Sequence, residues 1–447
     1  MIFARPLRKP FWILKSFFSK HQRLIILGSL IGALLFMAIK NLLPLIPQMK
    51  KTTKIGLVGQ YTLNSLPASI SQQISRGLTK ITDEGEVLPD LAESWDILED
   101  ETLYKVRLKK GSLWSDNTIV KAQDLSFSFP DVTVTVIDDY TLNFKLKESY
   151  APFLTLLSRP VFSSTNLGTN QFMVKSIKYS GVYLKSISMT SFKENLYYRF
   201  YPSNEAAWLG FRLGEVDSLQ NLLINPLSSN WENKVNLEAK INQNQYLGLI
   251  FNLNDNQLGN KSLRQALAYA LEQKSPTEES RALTPINPNS WAYNSKVKPY
   301  NFNPSQAKEL FAKFAQEATF SGQLEINLDT SQSFLSLAES IAASWEKVLN
   351  IKTNVKIVNS INPDFQALLV AQEIPQDPDQ HALWHSTQAT NITHYSDLKI
   401  DKLLEDGRKT SDQNQRKEIY QDFQRFLLED LPAIFLSHPT TYTITRK

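Results

Sequence analysis

A chain of 447 residues has room for more than one domain and an ample core, and 42% apolar and 21% charged residues are the balance of an ordinary globular protein. The formal charge of +4 conceals a split, because residues 1–54 hold ten Lys/Arg and no Asp or Glu, leaving 38 Lys/Arg against 44 Asp/Glu in the remainder. That mildly acidic body argues against nucleic acid as a partner, and the absence of cysteine excludes disulfides, thiolate metal sites, a cysteine nucleophile and an acylated-cysteine anchor.

The chain opens with a basic stretch, residues 1–23, carrying six Lys/Arg. Residues 24–39, LIILGSLIGALLFMAI, are uncharged, and NLLPLI beyond Lys40 extends the apolar run to 24–46. Some 20 residues cross a bilayer, so 24–46 is expected to span one, with Lys40 snorkelling outward. The positive-inside bias then holds the N-terminus in the cytoplasm and sends the rest of the chain outside. A cleaved signal peptide is the alternative, but LLPLIPQMKK offers no small-x-small cleavage site. Residues 47–54 form a short basic tether.

Beyond it, IGLVG at 55–59, LYKVRL at 103–108, VTVTVI at 132–137 and TLNFKL at 141–146 read as strands. DDY at 138–140 is placed as the turn of a hairpin between the last two. Helical periodicity appears at 262–272, 305–316, 333–349 and 412–429. LEINL at 324–328 and TNVKIV at 353–358 bracket the third of these helices, a strand–helix–strand unit of an α/β lobe. Two lobes are therefore expected: a β-rich lobe I over 55–248 and an α/β lobe II over 249–419, with 420–447 returning to lobe I.

No catalytic signature is present. The 15 glycines form neither GxGxxG nor GxxxxGK[ST], and GxSxG and HExxH are absent. The densest chemistry lies in PQDPDQHALWHSTQ, 375–388. His381 and His385 stand four apart, a spacing that holds a metal only if the segment is helical and a third ligand converges. A pocket-lining or surface pair is the commoner reading, so no metal is assigned. Loop aspartates such as Asp377 and Asp379 usually cap helices or bend turns. Trp345 sits with Phe334, Leu337, Ala338, Ile341 and Val348 on one helical stripe, which is core packing.

Several ordered segments resemble the extracytoplasmic solute-binding proteins of the peptide/nickel ABC-transporter class, family 5. They are 74–129, ISRGLTKITDEGEVLPDLAESWDILEDETLYKVRLKKGSLWSDNTIVKAQDLSFSF; DDYTLNFKLKESYAPFL, 138–154; SGVYLKSI, 180–187; GFRLGEVDSL, 210–219; and YLGLIFNLNDNQLGNKSLRQALAYALEQ, 246–273. PYNFNPSQAKELF, 299–311, DPDQHALWHSTQ and QRKEIYQDFQRFLLEDLPAIFL, 415–436, follow in order. Departures are a missing insert between FSF and the hairpin, YSGVY where the family has GTGPY, and a compressed region after ALAYALEQ. Lobe I thus reads as trimmed.

The resemblance implies a two-lobed, hinged α/β fold of the periplasmic-binding-protein type II, here preceded by one transmembrane helix. It implies a substrate-binding component of an ABC importer, with a membrane permease as partner, no enzymatic activity and no cofactor. Short peptides are the expected ligand; a nickel chelate or another small solute on the same fold, or a non-transporting tethered sensor or scaffold, are the alternatives. Family peptide binders pair the peptide's α-ammonium with an acid in the segment matching 371–379, which makes Glu373, Asp377 and Asp379 candidates. A desolvated ammonium needs such a partner. Trp384 and His385 match the family's WHS and are expected either to line the cleft or to pack the lobe. Gln60 and Tyr61 stand where the family contacts the ligand backbone, and Trp114 has a structural role.

Overall fold

The computed structural model describes residues 8–42, 50–63, 65–163, 167–319 and 322–447. Two compact units are present, one ending at Lys51 and one running from Thr52 to Lys447.

The first unit is the helix Arg8–Leu42, bent at His21, whose backbone leaves helical geometry. Within it Lys15–Ala38 is a 24-residue span of mean hydropathy 1.6, long and apolar enough to cross a membrane, with none of it buried. This covers most of the expected span 24–46; residues 43–46 and the start of the tether lie outside the described residues.

The second unit holds three larger sheets. A seven-stranded sheet runs Val235–Ile241, Thr440–Arg446, Ser218–Leu222, Lys51–Val58, Glu194–Tyr201, Tyr183–Thr190 and Met173–Ser180. The SGVY departure makes the tight turn of its edge hairpin, where Gly181 takes φ +63, a conformation glycine adopts without strain. A four-stranded antiparallel sheet is built from Ala92–Leu98, Leu103–Leu108, Thr141–Leu146 and Val132–Asp138. Its inner face packs Tyr104, Val106, Leu142 and Phe144 against Phe153, the alternation that marked these strands. Together the two sheets make lobe I.

Lobe II carries five strands in the order Lys352–Ile357, Glu325–Thr330, Ala367–Glu373, Gln245–Phe251 and Ala433–Ser437. Glu325–Thr330 and Lys352–Ile357 pair in parallel across the helix Leu335–Leu349, as the strand–helix–strand pattern requires. Trp345 is fully buried in this lobe's core, and its indole N–H donates to Leu267 O at 3.0 Å.

The chain crosses between lobes at 242–244 and again at 438–439. Asn242 N donates to Pro439 O at 2.9 Å, so the two crossings are tied together. Where the sequence suggests boundaries at 248 and 420, the strands themselves change sheets at these points. Helix Gln413–Asp430 stays in lobe II because Tyr420, Phe423 and Leu427 complete its core, and Ala433–Ser437 completes its sheet. Only Thr440–Arg446 returns to lobe I.

Candidate functional site

The segment after strand Ala367–Glu373 runs along the junction of the lobes. Its aspartates bend it: Asp377 accepts from Asp379 N at 2.9 Å, and Asp379 accepts from His381 N at 3.0 Å. The remaining lone pairs go to two arginines. Arg416 grips Asp377 with both terminal nitrogens, at 2.9 and 2.5 Å, in a pair whose side chains are 7% and 12% exposed. Arg408 donates to Asp379 at 2.9 Å. Burial alone would lower the Arg416 value, but the Asp377 carboxylate outweighs it and holds the guanidinium firmly charged.

Glu373 stands apart from these. It ends its strand exposed, and among the described residues its carboxylate has no hydrogen bond or ion pair. It acts across the junction on lobe I: burial raises the Tyr61 phenol above its ordinary value, and the Glu373 charge raises it further. Tyr61 is half-buried, its hydroxyl donating to Val58 O at 3.1 Å and its ring edge-on to Phe200 at 5.3 Å. Gln60 is exposed beside it. Tyr61 thus feels the Glu373 charge from the other lobe.

A cavity of about 270 Å³ is walled on one side by the segment that follows Glu373. Tyr150, Thr155 and Arg159 line it from lobe I, and Gln376, Asp377 and Asp379 from lobe II. That volume is at the small end for ligand sites. The walls are held together by contacts between lobes. Ala151 N donates to Arg408 O at 2.7 Å, Ser149 Oγ to Lys409 O at 3.1 Å, and Thr155 Oγ1 to Asp377 Oδ2 at 3.4 Å. Across the turn at Gly85 (φ +84), Trp291 N donates to Glu84 O at 3.2 Å.

Trp384 and His385 lie behind this surface. Trp384 is 2% exposed and edge-on to Phe435 in the lobe II core. His385 is buried too, its Nδ1 accepting from Thr387 N at 3.2 Å, and Ser386 completes the WHS by binding both oxygens of Asp401, at 2.9 and 2.6 Å. His381 stacks on His385 with centroids 4.1 Å apart. Burial, aided by Arg408 and His385, pulls the His381 imidazole down to about 4. Among the described residues no group of three or more His, Asp or Glu is arranged to hold a metal. Trp114 is 4% exposed in the lobe I core.

Residues 86–186 and 193–394 match the family of bacterial extracellular solute-binding proteins, family 5. The chain belongs to this family.

Among similar proteins, the dipeptide-binding protein of Escherichia coli K12 is 23% identical over 81% of this chain and 83% of its own length. NikZ from Campylobacter jejuni, solved with Ni(L-His), superposes with a TM-score of 0.72 at 22% identity, covering 89% of this chain and 94% of its own. AppA from Bacillus subtilis, solved with a nonapeptide, gives 0.68 at 20% identity, covering 89% and 95%. The fold of this family 5 protein is accordingly the two-lobed type II periplasmic-binding fold, with an apolar N-terminal helix in addition.

The sequence pointed to the acidic segment but not to Arg408 and Arg416, which decide the state of two of its three acids. A signal for Arg416 did exist: it starts the stripe Arg416, Tyr420, Phe423, Leu427, and a cation in an apolar stripe needs a buried anion.

Proposed function

We propose that this chain is the membrane-anchored substrate-binding component of an ABC importer, taking short peptides outside the cytoplasm by closure of its two lobes. Binding and release do the work, with no chemistry and no cofactor. The observation that carries the reading is Glu373: an exposed carboxylate with no ion pair or side-chain hydrogen bond among the described residues, whose charge acts on Tyr61 of the opposite lobe, in a segment whose other acids are already neutralised. A peptide ammonium entering between the lobes finds its charge partner there, and desolvation on closure strengthens that pairing. Gln60 and Tyr61 contact the ligand from lobe I. The basic residues Lys15, Lys20 and Arg23 at the start of the apolar helix support an N-terminus in the cytoplasm, and a permease in the same membrane receives the ligand.

Native mass spectrometry of the full chain released from detergent tests this. Peptides of mixed mass that co-purify, and are lost in Glu373→Gln, are expected. A single nickel species abolished by His381→Ala or His385→Ala would replace the peptide reading with the nickel-chelate one. The Ni(L-His) complex of the similar NikZ fold keeps that second reading in play, although here His385 is buried and its Nδ1 is already engaged.

A further inference from the structure

One end of the seven-stranded sheet of lobe I, where strand Lys51–Val58 begins, is both apolar and basic. Asn195 Nδ2 donates to Thr52 Oγ1 at 3.4 Å, and strand register carries the row outward from Asn195 to Thr190 and on to Met173. On the other side Asp217 N donates to Lys54 O at 2.8 Å and Arg446 N to Asp217 O at 3.1 Å, and Arg446 pairs with Val235. The Arg446 guanidinium also donates to Phe211 O, which brings the end of helix Asn204–Arg212 to the same place.

Phe192 stands in the turn between Tyr183–Thr190 and Glu194–Tyr201 and is 93% exposed. That turn is fixed: Ser191 N donates to Glu194 O at 2.8 Å, and Ser191 Oγ accepts from Glu194 N at 3.1 Å. Leu213, just past the helix, is 70% exposed, and Met173 and Val174 are exposed on the edge strand. Lys51, Lys54, Lys193, Arg212 and Lys234 are exposed at the same end. Glu215 is taken up by Arg199 at 3.1 Å, so these five bases stand against Glu194, Asp217 and Glu232. The excess is positive on a body that is acidic overall.

Exposed apolar residues rimmed by charge mark a contact surface, and an aromatic ring flanked by lysines suits the headgroup layer of a bilayer. Exposure alone does not pick this end, because Val182 on the opposite turn of the edge hairpin is 73% exposed. The covalent chain picks it. From Ile46, where the apolar run ends, to Lys51 is five residues, at most about 18 Å. Val182 lies a further strand away, the eight residues Met173–Ser180, or about 26 Å.

We infer that this end of the lobe I sheet docks on the outer face of the membrane that anchors the chain. Phe192 and Leu213 enter the headgroup layer, and the surrounding bases meet anionic lipid. This rests on the membrane-anchored reading above. Every residue of the patch belongs to lobe I, so lobe II opens and closes without breaking the contact.

The chain has no cysteine, so one fluorescent label can be placed at Gln171→Cys, exposed near Met173, or at Val182→Cys as the distant control. The labelled full chain is put into phosphatidylcholine nanodiscs, with or without phosphatidylglycerol, that carry a lipid spin-labelled on its headgroup as quencher. With phosphatidylglycerol, quenching at 171 is expected to be about three- to tenfold stronger than at 182, and to weaken without it. Phe192→Ser combined with Lys193→Ser should bring the two sites within twofold. Both residues are exposed, so the urea midpoint should not move, which marks the loss as one of contact rather than of folding. Equal quenching at the two sites in pure lipid, where no protein partner is present, overturns the inference and leaves this face to a protein. Quenching at 171 that survives the double substitution, or that ignores phosphatidylglycerol, overturns it as well. Release of the chain from membranes by alkaline carbonate overturns the anchored reading and this inference together.

Discussion

Arg416 and Asp377 form a bidentate ion pair, both side chains largely out of water, 39 residues apart in sequence. Arg416 also donates to Gly407 O at 2.7 Å and lies 5.7 Å from the Trp291 ring. It therefore ties the C-terminal helix to the segment that lines the cavity.

Removing one side of that pair leaves the other charge buried. Arg416→Ala and Asp377→Ala are each expected to lower stability by about 3–5 kcal/mol, read from urea unfolding. Arg416→Met combined with Asp377→Leu should recover most of the loss, since no buried charge is left alone. A double variant as unstable as the singles would contradict this account.

Glu373→Gln should behave differently. The residue is exposed and has no side-chain partner among the described residues, so its stability change is expected within about 0.5 kcal/mol. Peptide affinity, by contrast, should fall about 10- to 100-fold through loss of a charge-assisted contact. Measuring both quantities on one preparation separates a binding role from a structural one.

Lys274 is 8% exposed, donates to Leu271 O at 3.0 Å, and is pulled down to about 7 by burial and by the neighbouring Arg281. Between about 7 and its ordinary 10.5 the unfolded chain keeps a proton that the folded chain has lost. Stability should therefore rise with pH across that window, at up to about 1.4 kcal/mol per pH unit. Lys274→Met should flatten the rise and stabilise the protein at neutral pH. His381 gives the same sign lower down: held at about 4, it favours the folded chain less as pH falls from 6.5 toward 4. Asp379, Glu405, Arg408 and His385 surround it, and His381→Gln should weaken the acid limb.

Trp384→Ala is expected to cost about 3–5 kcal/mol by opening a cavity in the lobe II core. Trp384→Phe should cost far less and leave peptide affinity within twofold. A large affinity loss in the phenylalanine variant, with stability preserved, would instead place this side chain against the ligand.

Much of this molecule was legible in its order of residues. Strand alternation and the 3.6-residue stripes are local matters, set by which faces must be buried. Leu103–Leu108 and Thr141–Leu146 emerge at the expected residues, the βαβ unit pairs in parallel, and the ordered motifs point to the family that the comparison establishes. The apolar helix needed only composition and length. The state of the three acids was not legible. Glu373, Asp377 and Asp379 sit within seven residues and look equivalent in sequence. Their difference comes from Arg408 and Arg416, brought in by the C-terminal helices, and from Tyr61, brought in from the other lobe. Electrostatic pairing depends on distance through space, and folding alone sets distances between residues so far apart in sequence. The tertiary structure therefore decided which two carboxylates are neutralised by arginines and why Trp384 and His385 are buried.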